Sequence, residues 1–362
     1  MQYRELGRTG LRVSAIGLGC AMIGNSTVEY ATRIVHRAID LGVNYFDTAR
    51  GYWDSEAKLG VALEGGLRER VVISTKTGAK TRDAAWQHIQ ESLQRLRTAY
   101  LDNCHLHGLA TAEDAAERTG PGGALEALIE AKRRGLIRHI GCTSHRSDVL
   151  IAALERFDFE IILVPMNIVE TEPLETLIPL CHERGVGVTI MKPLATGLLP
   201  APLALKWLLN QPIATAVPGA STLAEVEENS KVGHGDATLS AREVAEAARL
   251  RRELEHERCR ICDQCLPCAA GINIPEHLGT DVMFDHLRTM GREGFLAYPW
   301  SRDTLAKDLE SRQKAIAAIE ACDHCGDCES RCPHGLPVMA MLGRQLPAFR
   351  DMVGMYGEML RT

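Results

Sequence analysis

From the N-terminus to about residue 235, short runs rich in β-branched residues alternate with stretches whose apolar residues recur at helical spacing. The runs RVSAIGLG (12–19), VNYFDTA (43–49), RVVISTKTG (70–78) and YLDNCHLHG (100–108) read as strands. Four more follow at IRHIGCTS (137–144), IILVPMN (161–167), VGVTIMKPL (186–194) and IATAVPGA (213–220). Between them AAWQHIQESLQRLR has the period of an amphipathic helix, and GALEALIEAKRRG ends on Gly135, the residue a helix C-terminus favours. Eight strand–helix pairs in succession predict an α/β fold closed as a (β/α)8 TIM barrel. An open doubly wound sheet would carry G-x-G-x-x-G after its first strand. Here Gly17, Gly19 and Gly24 stand in GLGCAMIG, at a different spacing.

Beyond residue 236 the rhythm changes. Ser240 and Glu243 have the S-x-x-E spacing of a capping box, and AREVAEAARLRRELEHER predicts a helix running into Cys259. HLGTDVMFDHLRTM, AKDLESRQKAIAAIEAC and the tail PVMAMLGRQLPAFRDMVGMYGEML also read as helical. The pattern therefore predicts a barrel over 1–236 and a small, mainly α-helical domain over 237–362.

Composition narrows the function classes. The 362 residues are 45% hydrophobic and 24% charged, enough for a large buried core, which excludes a disordered or low-complexity chain. The formal charge, 41 − 47 = −6, comes without a long run of one sign, so neither nucleic acid nor a membrane surface is an expected partner. The opening MQYRELGRTG lacks the apolar core of a signal peptide, and no stretch reaches the roughly 18 apolar residues of a membrane span. A soluble cytoplasmic protein is expected.

The 12 cysteines change the picture more. Cys20, Cys104, Cys142 and Cys181 are scattered along the barrel, whereas the other eight form two tight runs. Cys259, Cys262, Cys265 and Cys268 are spaced C-x2-C-x2-C-x2-C. Cys322, Cys325, Cys328 and Cys332 are spaced C-x2-C-x2-C-x3-C and followed by Pro333, the bacterial ferredoxin run. In such pairs of runs the fourth cysteine ligates the other cluster. Cys259, Cys262, Cys265 and Cys332 are thus expected to hold one [4Fe–4S] cluster, and Cys322, Cys325, Cys328 and Cys268 a second. The first run departs from the pattern in its last interval and in having Ala269 in place of Pro. Structural zinc is the competing reading, but zinc ribbons separate their cysteine pairs more widely. The domain resembles a helical ferredoxin.

In a barrel, chemistry sits at the C-terminal ends of the strands. There the second strand delivers Asp47, with Tyr52 in the loop after it, the third Lys76, and the fourth His105 and His107. The motifs carrying these residues resemble those of the aldo-keto reductase family across the whole barrel. D-T-A-x-x-Y followed by S-E-x-x-L-G is matched by Asp47 through Gly60, and a Lys closes strand three and L-H-G strand four. GLIRHIGCTS, MKPLATGLL and VPGASTLAEVEEN extend the likeness to the last strand. The resemblance implies a tetrad of Asp47, Tyr52, Lys76 and His107, with His105 the alternative to His107. Tyr is a poor acid at its reference pKa near 10. A neighbouring ammonium, itself held by a carboxylate, stabilises the phenolate and is expected to lower that value.

The resemblance also implies nicotinamide contacts. Ser144 and His145 stand where the family has Ser-Asn, and Leu163 where it often has Gln. Lys192, Pro193, Leu194 and Gly197 fall in the loop expected beside the pyrophosphate. Gly219, Ser221, Glu225, Glu228 and Asn229 fall at the adenosine end. No basic residue lies near Ser221 and Thr222 to favour NADP over NAD.

The expected protein is thus an NAD(P)-dependent oxidoreductase that interconverts a carbonyl compound and its alcohol and carries [4Fe–4S] clusters. Its expected partners are that small molecule and, beyond it, a redox protein. The alternative is an iron–sulfur electron-transfer or redox-sensing protein with the barrel as a nucleotide-binding scaffold, which would have no need of a complete tetrad.

Overall fold

In the computed structural model, which describes residues 1–280 and 282–361, the barrel begins with a small antiparallel hairpin. Its strands are β1 (Tyr3–Glu5) and β2 (Arg12–Ser14), paired Tyr3 to Ser14. The parallel sheet then runs through β3 (Leu18–Gly19), β4 (Tyr45–Asp47), β5 (Val72–Thr77) and β6 (Leu101–Leu106). It continues through β7 (Ile137–Thr143), β8 (Ile161–Pro165), β9 (Gly187–Met191) and β10 (Thr215–Ala216). Neighbours in the sheet are neighbours in sequence from β3 to β10. Parallel bridges Ile16–Ala216 and Gly19–Gly219 join the last strand to the first and close the barrel.

The stretch 12–19, expected as one strand, is two elements. Its first part turns away to pair with β1, and the stretch joins the barrel from Ile16 onward, with Leu18–Gly19 as its barrel strand. Between them the chain passes close to its neighbour: a Cβ at Gly17 would stand 2.9 Å from the Tyr45 carbonyl oxygen. Leu6 and Val13 from the hairpin segment pack with inward Tyr45, Val72, Ile161 and Leu163 and fill one end of the barrel. A larger apolar layer between the sheet and the surrounding helices includes Ile34, Val35, Phe46, Ile73, Leu128, Ile162 and Leu205.

Local chemistry sets the helix ends. The Thr27 and Thr111 hydroxyls accept backbone N–H groups at the starts of helices Val28–Asp40 and Ala112–Thr119. Thr222 and Glu225 form a reciprocal capping box on helix Leu223–Val232. Helix Ala124–Arg133 is followed by Gly135 at φ +75°, the left-handed residue its sequence foretold.

The chain divides into two compact units, Met1–Ala248 and Arg249–Thr362. The Ser240–Glu243 capping box forms, and its helix, Ala241–Leu254, stops short of Cys259. The second unit contains the helices Val282–Ala297, Arg302–Glu320, Asp327–Ser330 and Val338–Arg361, and it has no strand among the described residues. Asp281, within one expected helical stretch, lies outside them. An aromatic core of Phe295, Trp300, Phe349 and Tyr356 holds the unit, with Trp300 Nε1 donating to the Phe295 carbonyl at 2.6 Å. Among the described residues no helix is long and apolar enough to cross a membrane.

Candidate active site and cluster sites

Parallel register puts the ends of β4, β5 and β6 side by side, with Asp47 opposite Ser74 and Lys76 opposite His105. Lys76 is buried, and its ammonium donates to Asp47 Oδ1 at 2.5 Å and to the Thr48 carbonyl at 2.6 Å. The same ammonium lies 4.8 Å from the centre of the Tyr52 ring. The His107 imidazole meets Tyr52 edge-on, with 5.7 Å between ring centres. The four residues singled out in sequence therefore converge. His105, beside Lys76 in the sheet, takes other partners: fully buried, its Nε2 is 2.5 Å from Asn103 Nδ2 and 3.1 Å from Ser74 Oγ.

Electrostatics assign states to these groups. Burial acts to lower the Lys76 pKa, but Asp47 and Tyr52 outweigh it and the ammonium is held above its ordinary range. Burial raises Asp47, with Lys76 opposing. Burial likewise raises Tyr52, and Lys76 offsets only part of that rise. The expected depression of the phenol pKa is thus reversed in sign, because removing a phenolate from water costs more than one nearby cation returns. Burial, followed by Lys76 and Arg118, pushes His107 down to about 3, so its imidazole is neutral at physiological pH. No sequence motif pointed to Arg118. It is buried, and its guanidinium donates to the backbone carbonyls of His107 at 2.9 Å and Thr77 at 3.0 Å.

The residues expected to meet a nicotinamide dinucleotide lie in β8, in the loops after β7, β9 and β10, and on helix Leu223–Val232. Ser144 is buried and donates to the Leu109 carbonyl at 2.6 Å, while the adjacent His145 is half-buried. Leu163 faces the barrel interior. After β9 the backbone is left-handed at Lys192, Ala195, Thr196 and Gly197, with Pro193 and Leu194 between. Three of those four are not glycine, a strained loop of the kind that binding sites retain. Gly219 and Glu228 are exposed, and Ser221 and Asn229 are buried. Glu225 Oε2 accepts the backbone N–H of Ser221 at 2.7 Å and of Thr222 at 2.9 Å, so one of its two oxygens serves as a helix cap. Ser221 Oγ and Asn229 Oδ1 are buried without a protein partner, which fits a polar ligand at that end.

In the second unit the cysteines separate into two sets. Cys259, Cys262, Cys265 and Cys332 line one cavity, and Cys268, Cys322, Cys325 and Cys328 line another. The last cysteine of each run has crossed to the other run's cavity. Among the described residues no three His, Cys, Asp or Glu side chains gather as the ligands of a single metal ion do. Four thiols framing a cavity, beside apolar Ile272, Ile274, Leu278 and Leu336, fit a cubane cluster. Left-handed Ile261, Asp263, His324 and Gly326 bend the Cys-x2-Cys loops, and the Ile261 N–H donates to Cys259 Sγ at 3.4 Å. Cys325 is the exposed member of the eight.

Comparison with known proteins agrees with both halves. The sequence model described as the aldo/keto reductase family matches residues 15–201, and that of the 4Fe-4S dicluster domain matches residues 258–336. The chain is 30% identical over 282 residues to L-galactose dehydrogenase of Arabidopsis thaliana, covering 63% of this chain and 87% of that one. Among solved structures, an aldo-keto reductase from Bacillus halodurans in its holo form is similar with TM-score 0.62 and 29% identity, over 69% of this chain and 96% of that one. An aldo/keto reductase from Klebsiella pneumoniae in complex with NADP and acetate is similar with TM-score 0.58 and 25% identity, over 68% of this chain and 94% of that one.

Proposed function

The chain belongs to the aldo/keto reductase family and carries a 4Fe-4S dicluster domain, and on that premise we propose that residues 1–236 interconvert a carbonyl compound and its alcohol. When bound, NAD(P)H supplies the hydride, a role for which the family membership and the NADP complex of the Klebsiella relative are the support. Ser144, His145, the 192–197 loop, Gly219, Ser221 and Asn229 are the residues that would hold it, with exposed Glu228 at the same end. The protein's own part is to place and protonate the carbonyl oxygen. Tyr52 donates the proton, and buried Lys76 stabilises the phenolate left behind. Asp47 keeps Lys76 charged and fixed. Neutral His107, with an N–H to offer, orients the oxygen beside the phenol.

One observation carries this reading: a buried Lys76–Asp47 ion pair at 2.5 Å sits under a phenol that is also edge-on to a neutral imidazole. An electron-transfer scaffold gains nothing from that arrangement. The two cysteine sets are proposed to hold one [4Fe–4S] cluster each, through which a redox protein exchanges electrons with residues 237–362. The test is Tyr52→Phe, which keeps the ring and removes the proton donor. Turnover of NAD(P)H with simple aldehydes should fall about 10²-fold or more while cofactor affinity holds, and near-parental turnover defeats the assignment.

A further inference from the structure

His107 follows the last residue of β6, next to Gly108 at φ +63°, where the β5–β6 ladder ends. Two bonds hold its backbone, the first of them the last rung of that ladder. The His107 N–H donates to the Thr77 carbonyl at 2.9 Å, and the His107 carbonyl accepts from Arg118 at 2.9 Å. Arg118 reaches back from helix Ala112–Thr119 and with its other terminal nitrogen also takes the Thr77 carbonyl, at 3.0 Å. One guanidinium thus ties together the ends of the two strands that carry Lys76 and His107. Its planar fork suits two carbonyls at once, which an ammonium on a flexible stem does not. The nearest carboxylate, Asp114, stands 3.6 Å away, one helical turn back.

The groups facing the imidazole come from four elements. Lys76 comes from β5, Tyr52 from the loop after β4, His105 from its own strand, and Arg118 from the helix that follows. The two cations favour the neutral ring, whose N–H can then serve as a hydrogen-bond donor to a carbonyl oxygen.

We propose that Arg118 is a positioning residue of the reductase site, clamping the His107 backbone so that its imidazole faces Tyr52. The inference rests on the reductase reading above. Losing the clamp lets His107 drift while leaving the nucleotide residues untouched, so the loss falls on kcat. Geometry errors of about 1 Å near reacting groups cost up to about 10²-fold.

The test compares full-length parent, Arg118→Met and Arg118→Lys, purified without oxygen. Three quantities are read: kcat and KM for a simple aldehyde, the NADPH dissociation constant, and the His107 titration by NMR. The His107 signal is assigned by its absence in His107→Gln. Arg118→Met should lose about 10-fold or more in kcat, with KM and NADPH affinity within about twofold. Its His107 pKa should rise by about half a unit or more, because one of the two neighbouring cations is gone. Arg118→Lys should recover the low pKa and only part of kcat. A kcat for Arg118→Met within about twofold of the parent, or an unmoved titration, overturns the proposal. Should Arg118→Met fail to fold by circular dichroism, Arg118→Lys decides, and parental kcat in that variant overturns it. A parent that reduces no carbonyl refutes the reductase reading instead, and the titration still judges the clamp.

Discussion

At the scale of single residues the site sets desolvation against one salt bridge. Burial moves Tyr52 toward a weaker acid and Lys76 moves it back part of the way. Removing the cation as Lys76→Met therefore raises the phenol pKa further. Alcohol oxidation begins from the phenolate, so the pH at which its rate rises should move upward in Lys76→Met. Carbonyl reduction, which needs the phenol, should lose about 10²-fold or more in kcat because the phenolate product is no longer stabilised. Paired pH–rate profiles in the two directions check this, and an unmoved alkaline limb in oxidation removes Lys76 from the proton path. The positions of Asp47, Tyr52, Lys76 and His107 were legible in sequence because the ends of barrel strands are places a pattern can locate. Arg118 was not: an arginine that donates to two backbone carbonyls looks like any arginine on an amphipathic helix. The sign of the Tyr52 shift was equally hidden, since it depends on how much water the folded site excludes.

At the scale of elements, the eight-strand rhythm survives folding except at its start. Arg12–Ser14 and Leu18–Gly19 read as one strand because Val13 through Leu18 are all buried, and burial is what the pattern reports. Two strands that bury against different neighbours look the same in sequence as one strand that does not bend. Glu225 shows a structural part that the pattern did not display. Expected as a nucleotide contact, it also caps: its Oε2 accepts the N–H groups of Ser221 and Thr222 at the start of helix Leu223–Val232. The cap orders the turn that carries Ser221. Thr222→Ala, which deletes the other half of the box, should destabilise the barrel by about 1 kcal/mol. That corresponds to a Tm about 2–4 °C lower for a unit of this size. Thermal unfolding followed by circular dichroism on oxygen-free protein reads the shift. An unchanged Tm means the box adds nothing to the water-exposed helix end.

At the scale of the whole molecule, two kinds of redox chemistry share one chain. The crossing of Cys268 and Cys332 between cavities makes each cluster site depend on both ends of the second unit. Loading both sites should give about eight irons per chain, and Cys332→Ser should empty the cavity of the first run while its own run keeps its iron. Iron loss should also loosen the helices between the runs, because ligation free energy is folding free energy there. Whether that matters to the barrel follows from electron counting. Hydride transfer moves two electrons together with one proton, whereas a [4Fe–4S] cluster passes one electron at a time, and nothing in the sequence suggests a flavin to convert between them. Every group assigned to the hydride step lies between Cys20 and Ser230, in the first unit, with its own closed sheet and its own core. Folded, iron-depleted protein should therefore oxidise NAD(P)H with a simple aldehyde in a single turnover at a rate within about threefold of the iron-loaded protein, no interaction with the transition state having been removed. Rapid-mixing absorbance of the nicotinamide, with circular dichroism to certify the barrel, makes the comparison. Loss of the hydride step in a barrel that remains folded would place the clusters on the catalytic path and would require a one-electron route that the tetrad does not provide.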